Sequence, residues 1–207
     1  MADLTFFTNP MSRGRIVRWM LEEVGAPYET RVIAYGPEMK SPEYLAINPM
    51  GKVPAIRHRG QVVTEVAAIC TYLADAFPQA GLAPAIDSPE RAAYFRWLFF
   101  GAGPLEQSVS NDSCGFVPNE EQSRFVGYGS MASVLDTLEK TLSSADYLAG
   151  SQFSAADLYV GSQLAFAMQF KKIEPRPAFV AYTKRVLARP AALRAAELDN
   201  ALMPSGA

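Results

Sequence analysis

The sequence has 207 residues, enough for one domain or two, and its 49% hydrophobic and 11% aromatic content allows a sizeable buried core, which excludes a disordered chain. A formal net charge of −2 gives no long-range attraction to nucleic acid or to an anionic membrane, so neither is expected as a partner. Two separated cysteines and one histidine supply neither a disulfide framework nor a metal-ligand set, and no stretch reaches the ~20 apolar residues of a membrane span.

The first 78 residues alternate strand and helix patterns. A β-rich run from Leu4 to Thr8 predicts the first strand, and apolar residues at three- and four-residue spacing predict an amphipathic helix from Ser12 to Val24. The patterns further predict strands at about 28–33, 52–58 and 61–63, a short helix at 41–46 and a longer helix at 65–76. This order of elements is the thioredoxin-like arrangement.

The segment 77–84 is rich in proline and glycine and is interpreted as a linker. Beyond it the pattern is helical throughout, with helices predicted at about 88–110, 119–143, 154–170, 176–188 and 190–201. The sequence therefore predicts an α/β domain at residues 1–78, followed by an all-α domain at residues 86–207.

A short predicted strand that contains a proline is the most informative stretch. Pro54 cannot donate a ladder hydrogen bond, so it must lie at a sheet edge or at the start of a strand. The backbone N–H and C=O of Val53 are then free to pair with a group outside the sheet. Whether the Val53–Pro54 bond is cis or trans is left open by the sequence.

Two motifs carry a resemblance to a known family. Residues 48–56 read Asn-Pro-x-Gly-Lys-Val-Pro-x-Ile, and residues 64–73 read Thr-Glu-x-x-Ala-Ile-x-x-Tyr-Leu. At this joint spacing the chain resembles the glutathione transferase family over almost its whole length. The resemblance implies a thioredoxin-like domain that binds glutathione as co-substrate, with no metal, and a helical domain that contributes to the pocket for the electrophile.

The resemblance also implies roles for individual residues. It implies that Val53 and Pro54 present backbone groups to the cysteinyl part of glutathione, that Lys52 lies near the glycyl carboxylate, and that Glu65 meets the γ-glutamyl ammonium group. Val66 departs from the family, because most members carry serine there and the serine hydroxyl holds the γ-glutamyl carboxylate. Valine keeps the backbone N–H at the helix start, which is still an anion site.

The turn after the first strand, residues 8–15, is where a thiol would be activated, because a hydroxyl and a helix N-terminus both favour the thiolate. Ser12 is the preferred catalytic hydroxyl, although it could instead serve as a plain helix cap. Thr8 and Asn9 are the alternatives. The turn contains no tyrosine and no cysteine, which disfavours tyrosine-type and cysteine-type chemistry. Arg13, unfavourable beside the helix N-terminus, suggests an anionic ligand.

For the electrophile pocket the sequence nominates Met11 and Trp97, although aromatic and methionine side chains at helical spacing are more often core. The predicted activity is addition of glutathione to a small apolar electrophile, in the detoxifying manner of the family. The alternatives are glutathione-dependent disulfide or peroxide reduction, or a non-enzymatic interaction protein of the stringent starvation type. A homodimer is implied by the resemblance, and the cytoplasm is expected because the N-terminus lacks a leader pattern.

Overall fold

The computed structural model describes residues 3–203, and these form two compact units. The first unit combines the residues up to Leu82 with those from Arg189 onward, and the second is Ala83–Ala188. The first unit thus includes the end of the chain, whereas the prediction had assigned everything from residue 86 to the helical domain. Residues 1–2 and 204–207, at the outer ends of the two predicted domains, lie outside the described part.

The first unit is built on a four-stranded mixed sheet. Its strands are β1 (Leu4–Thr8), β2 (Glu29–Val32), β3 (Ala55–His58) and β4 (Gln61–Thr64), in the order β2-β1-β3-β4. Strands β1 and β2 are parallel, and the other two pairs are antiparallel. The helices are α1 (Gly14–Val24), α2 (Pro42–Leu45) and α3 (Val66–Ala76), with 3₁₀ turns at Glu38–Lys40 and Pro78–Ala80. The predicted thioredoxin-like domain is confirmed.

Alternate residues of β1 face opposite sides of this sheet, as the strand period of two requires. The Phe6 ring lies on the α1 side, edge-on to Tyr28. Phe7 points to the other side, where it packs in a buried cluster. The other members of this cluster are Ile33, Met39, Tyr44 and Ala55, with Ile47 and Val53 partly buried against it.

The second unit is helical. It contains α4 (Glu90–Phe100), α5 (Glu106–Ser113), α6 (Met131–Leu142), α7 (Ala155–Gln169) and α8 (Pro177–Leu187), as the sequence predicted in outline. The start of α7 is held by Asp157, whose Oδ2 accepts hydrogen bonds at 2.9 Å from both the N–H and the hydroxyl of Ser154. This is the reach back to the helix start that the capping pattern predicts.

Two predicted helices differ in detail. The predicted helix 88–110 passes through a π-helical turn at Gly101–Leu105 between α4 and α5, where Pro104 removes one backbone donor. The predicted helix 119–143 was wrong in its first half, because α6 begins only at Met131. Gly129 lies there with a φ of 68°, a left-handed conformation that ends the preceding segment and is incompatible with a continuous helix.

The last helix, α9 (Pro190–Asn200), belongs to the first unit because it packs against α1. Arg18 and Asp199 form a buried ion pair between the two helices, with Nε and Oδ1 3.1 Å apart. Just before α9, Arg189 makes two hydrogen bonds of 2.6 and 2.8 Å to the carboxylate of Glu23. These charged contacts join segments that are more than 160 residues apart in the chain.

Candidate active site

Strand pairing brings three separate segments to one edge of the sheet. Thr8, at the end of β1, lies beside Val32 at the end of β2. Ala55, at the start of β3, pairs with Phe7 on one side and with Thr64 on the other. Because of these registers, the turn after β1, the residues before β3 and the start of α3 all lie at the same edge.

Val53 presents its backbone at this edge. The Val53–Pro54 peptide bond is cis, and the Val53 side chain packs against the Phe7 cluster. Within residues 3–203, no hydrogen bond uses the N–H or the carbonyl of Val53. An anchored side chain combined with unpaired backbone groups is an arrangement that can bind an extended peptide.

The residue before Val53 is fixed through its carbonyl. The Lys52 carbonyl accepts hydrogen bonds from the Tyr44 hydroxyl at 2.7 Å and from Asn48 Nδ2 at 2.8 Å. The Lys52 side chain is exposed, and its ammonium group has no ion-pair partner in the described part of the chain. The backbone is therefore held in place while the charge stays available to an anion.

Glu65 has the most strained backbone of the edge. Its φ of 64° and ψ of 119° place a non-glycine residue outside the normally populated regions. Such a conformation costs about 1–3 kcal/mol, and residues of this kind cluster at ligand-binding sites. The Glu65 side chain is exposed, and among residues 3–203 its carboxylate has neither a hydrogen-bond nor an ion-pair partner.

Val66 is the first residue of α3 and is buried. The first N–H groups of any α-helix have no partner within the helix, and they carry the positive end of the helix dipole. The start of α3 therefore offers backbone donors for an anionic group directly after Glu65 in the chain.

The three polar candidates in the turn after β1 differ in accessibility. Thr8 is fully buried, and Asn9 is buried with both ends of its amide in use. Asn9 donates to the Ile33 carbonyl and accepts from the Met11 N–H, each at 3.0 Å. Ser12 is partly exposed, so of the three it is the one that a ligand can reach.

The Ser12 hydroxyl is engaged within the turn. It donates to the Asn9 carbonyl at 2.7 Å and accepts the N–H of Gly14, the first residue of α1, at 2.9 Å. Ser12 therefore satisfies one backbone N–H at the start of α1. This is the helix-cap role that the sequence offered as the alternative to catalysis. The Asn9 carbonyl also accepts the Ser12 N–H at 3.1 Å, so it keeps one donor when the hydroxyl rotates away.

The two arginines of this turn are placed differently. Arg13 is exposed and directly precedes α1. Arg15 is held within the first unit, with Nε donating to the Pro10 carbonyl at 2.6 Å and a terminal nitrogen donating to Asn200 at 2.8 Å. The Arg13 side chain is therefore accessible to solvent.

A tyrosine reaches the turn from another segment, a contact that the sequence interpretation missed. The Tyr35 hydroxyl donates to the Met11 carbonyl at 3.3 Å, and both side chains are about half exposed, at 53% and 52%. The signal was present in the predicted β-α-β order, because parallel strands send their following loops to the same sheet edge.

Trp97, predicted for the electrophile pocket, and Cys70 are both buried. Trp97 lies in α4 and is 1% exposed, and its ring makes an edge-to-face contact with the ring of Phe100. This burial favours a packing role in the helical unit. Cys70 is fully buried in α3, and burial raises the pKa of its thiol to about 12. A thiol in this state is protonated and unreactive at neutral pH.

A cleft of about 370 Å³ in the first unit lies apart from Ser12, Val53 and Glu65. It runs between β2 and α2, and its lining includes Phe7 and Ile47.

Among residues 3–203, no cluster of histidine, cysteine or acidic side chains is suited to hold a metal ion. In the same range, no helix is long and apolar enough to cross a membrane.

Comparison with known families agrees with this geometry. Residues 11–76 match the family described as glutathione S-transferase, N-terminal domain, and residues 93–190 match glutathione S-transferase, C-terminal domain. The chain belongs to the glutathione S-transferase family. The family assignment made from the motifs at residues 48–56 and 64–73 is confirmed.

Individual members of the glutathione S-transferase family are similar along most of the chain. Glutathione S-transferase 1 of Schizosaccharomyces pombe is 30% identical, with 87% of this chain and 91% of that protein aligned. A crystal structure of a glutathione transferase from Methylococcus capsulatus superposes with a TM-score of 0.80 at 28% identity, covering 96% of this chain and 99% of that one. A sphingomonad glutathione S-transferase, complexed with glutathione, gives a TM-score of 0.76 at 28% identity over 95% and 98% of the two chains.

Proposed function

We propose that this protein is a glutathione transferase that binds glutathione at the edge of the first unit's sheet and adds its thiolate to a small apolar electrophile. The observation that carries the proposal is the unpaired backbone of Val53 at the edge where the thiol turn and the start of α3 also lie. A relative with the same fold is complexed with glutathione, which supports the choice of ligand.

The peptide part of glutathione would pair with Val53. The cysteinyl N–H and C=O of the ligand extend the sheet edge by one short strand and satisfy the Val53 carbonyl and N–H, with Pro54 directly before the start of β3. Lys52 and Arg13 offer exposed positive charges for the glycyl carboxylate. Each of these contacts exchanges a solvated protein group for a hydrogen bond to the ligand.

The γ-glutamyl end would meet the start of α3. The Glu65 carboxylate pairs with the ammonium group, and the N–H of Val66 binds the α-carboxylate at the helix N-terminus. Glu65 directly precedes the first residue of α3, so the two proposed contacts come from neighbouring residues. Valine supplies no hydroxyl here, so this end is held by one hydrogen bond fewer than serine would provide, which costs roughly 1.5–3 kcal/mol.

Ser12 would stabilise the thiolate. Its hydroxyl rotates from the Asn9 carbonyl to the ligand sulfur, and it keeps the N–H of Gly14 as its own donor. A hydrogen bond to the anion and the nearby N-terminus of α1 both lower the thiol pKa. The Met11 side chain, half exposed beside the same turn, is proposed to contact the electrophile.

We further propose a cytoplasmic homodimer with a detoxifying role, as the family resemblance implies. Light scattering should give a mass twice the 22.6 kDa of the chain. A mass equal to that of one chain at working concentration would contradict the dimer without affecting the glutathione site.

The test of the main proposal is calorimetric titration with glutathione. We expect saturable binding to the wild type and about tenfold weaker binding to Glu65→Gln, because a charge-assisted contact to the ammonium group is lost. The control is Glu29→Gln. Glu29 is also exposed and belongs to the same unit, but it lies at the start of β2, whereas the proposed site lies beyond the end of that strand. This variant should bind glutathione like the wild type.

The outcome separates the alternative functions. Binding together with conjugation of an aromatic or alkyl halide supports the transferase. Binding with turnover only on disulfides or peroxides would favour the reductase. No binding at millimolar glutathione would refute the proposal and favour an interaction protein.

A further inference from the structure

We infer that Tyr35 is a second catalytic hydroxyl, which donates a hydrogen bond to the thiolate of the bound ligand. The inference rests on the proposed function and assigns a thiol-stabilising group that lies outside the turn after β1. The carrying observation is the contact of the Tyr35 hydroxyl with the Met11 carbonyl, one residue from Ser12.

The backbone before Tyr35 is held both by the thiol turn and by its own loop. The Ile33 N–H donates to the Thr8 carbonyl at 2.7 Å, and the Ile33 carbonyl accepts from Asn9 at 3.0 Å. One residue later, the Ala34 N–H donates to the Glu38 carboxylate at 2.7 Å. Ile33 therefore ties this backbone to the thiol turn, and Ala34 ties it to the following 3₁₀ turn.

The hydroxyl of Tyr35 is also more available than that of Ser12. Oxygen–oxygen hydrogen bonds are usually 2.7–2.8 Å long, so the 3.3 Å contact of Tyr35 is long and weak. The Ser12 hydroxyl, at 2.7 Å from the Asn9 carbonyl, gives up a stronger bond when it turns to a ligand. Tyr35 is 53% exposed, so its ring can adjust without repacking a core.

A thiolate is a better partner for this phenol than a backbone carbonyl. Hydrogen bonds to an ionised acceptor are roughly twice as strong as those between neutral groups. The thiol releases its proton to solvent, and Tyr35 keeps its own proton and shares it with the sulfur as a donor. No bond to carbon is made or broken in this step, so the role of Tyr35 is to favour the anionic nucleophile before it attacks.

The experiment follows the thiolate absorbance of glutathione bound to the wild type, Tyr35→Phe and Ser12→Ala as the pH is raised. Tyr35→Phe should raise the pKa of the bound thiol by about one unit and slow conjugation about tenfold at neutral pH. Binding of S-methylglutathione, which has no ionisable thiol, should stay within about twofold of the wild type. Tyr147→Phe is the matched control, since that ring packs on Phe153 in the helical unit, and it should leave the titration unchanged.

A thiol titration of Tyr35→Phe that matches the wild type would overturn the inference while leaving the proposed function in place. If Tyr35→Phe then also binds S-methylglutathione more weakly, Tyr35 is a contact for the peptide instead of the sulfur. If the wild type binds no glutathione by calorimetry, the proposed function fails first and the inference falls with it.

Discussion

The buried ion pair between α1 and α9 allows a prediction of stability. The side chains of Arg18 and Asp199 are 3% and 1% exposed. Removing one of them therefore leaves the other charge buried, with neither its counter-ion nor water to stabilise it. For a buried pair this costs about 3–5 kcal/mol. Arg18 keeps hydrogen bonds to Thr30 at 2.7 Å and Tyr28 at 3.2 Å, which places Asp199→Ala near the lower end, at about 3 kcal/mol of unfolding free energy.

The pair itself should contribute little net stability. Burial raises the pKa of the Asp199 carboxyl despite the opposing effect of Arg18, which shows that desolvation outweighs the attraction for this group. The double variant Arg18→Met with Asp199→Leu should therefore be within about 1 kcal/mol of the wild type, because apolar side chains fill the site without a charge to bury.

The assay is urea unfolding of the wild type, Asp199→Ala, the single variants Arg18→Met and Asp199→Leu, and the double variant that combines these last two. The control is the exposed pair of Asp3 and Arg59, at 3.8 Å and about 70% exposed on each side, where Asp3→Ala should cost less than about 0.5 kcal/mol. A loss below about 1 kcal/mol for Asp199→Ala would contradict the reasoning. So would a double variant whose loss equals the sum of the two single losses.

Three further predictions concern the first unit and the exposed thiol. Burial raises the pKa of the Cys70 thiol to about 12, so this thiol should not react at neutral pH. An aromatic disulfide reagent should therefore label only Cys114 in the native protein and both thiols after unfolding. Two labelled thiols in the native state would contradict this prediction. Gly14→Ala would bring a Cβ into collision with the Thr8 hydroxyl, so it should lower the free energy of unfolding by about 1–3 kcal/mol and weaken glutathione binding. The control is Gly103→Ala, which should be tolerated because the space around its Cβ is open. Equal thermal stability of the two variants would contradict this prediction. Val66→Ser should tighten glutathione binding by about tenfold through the restored hydroxyl, and equal dissociation constants by calorimetry would show that the helix N-terminus alone suffices.

Local patterns were sufficient for most of the secondary structure. The alternation and spacing of apolar residues predicted all four strands of the first unit, because these periods depend only on the backbone geometry of each element. Pro54 marked the start of a strand, since a proline has no N–H to donate. The break before Met131 was missed because the left-handed conformation of Gly129 depends on the surrounding segment, and helical periodicity alone does not reveal it.

The sequence by itself determined the family, the order of elements and the pair of motifs around Pro54 and Glu65, because each of these is written in neighbouring residues. Only the tertiary structure decided which distant groups meet. It joined the last helix to the first unit through Asp199, and it brought Tyr35 to the turn after β1 from the loop that follows β2. Strand register and the pairing of buried charges fix these contacts, and both act between residues whose separation along the chain carries no local pattern.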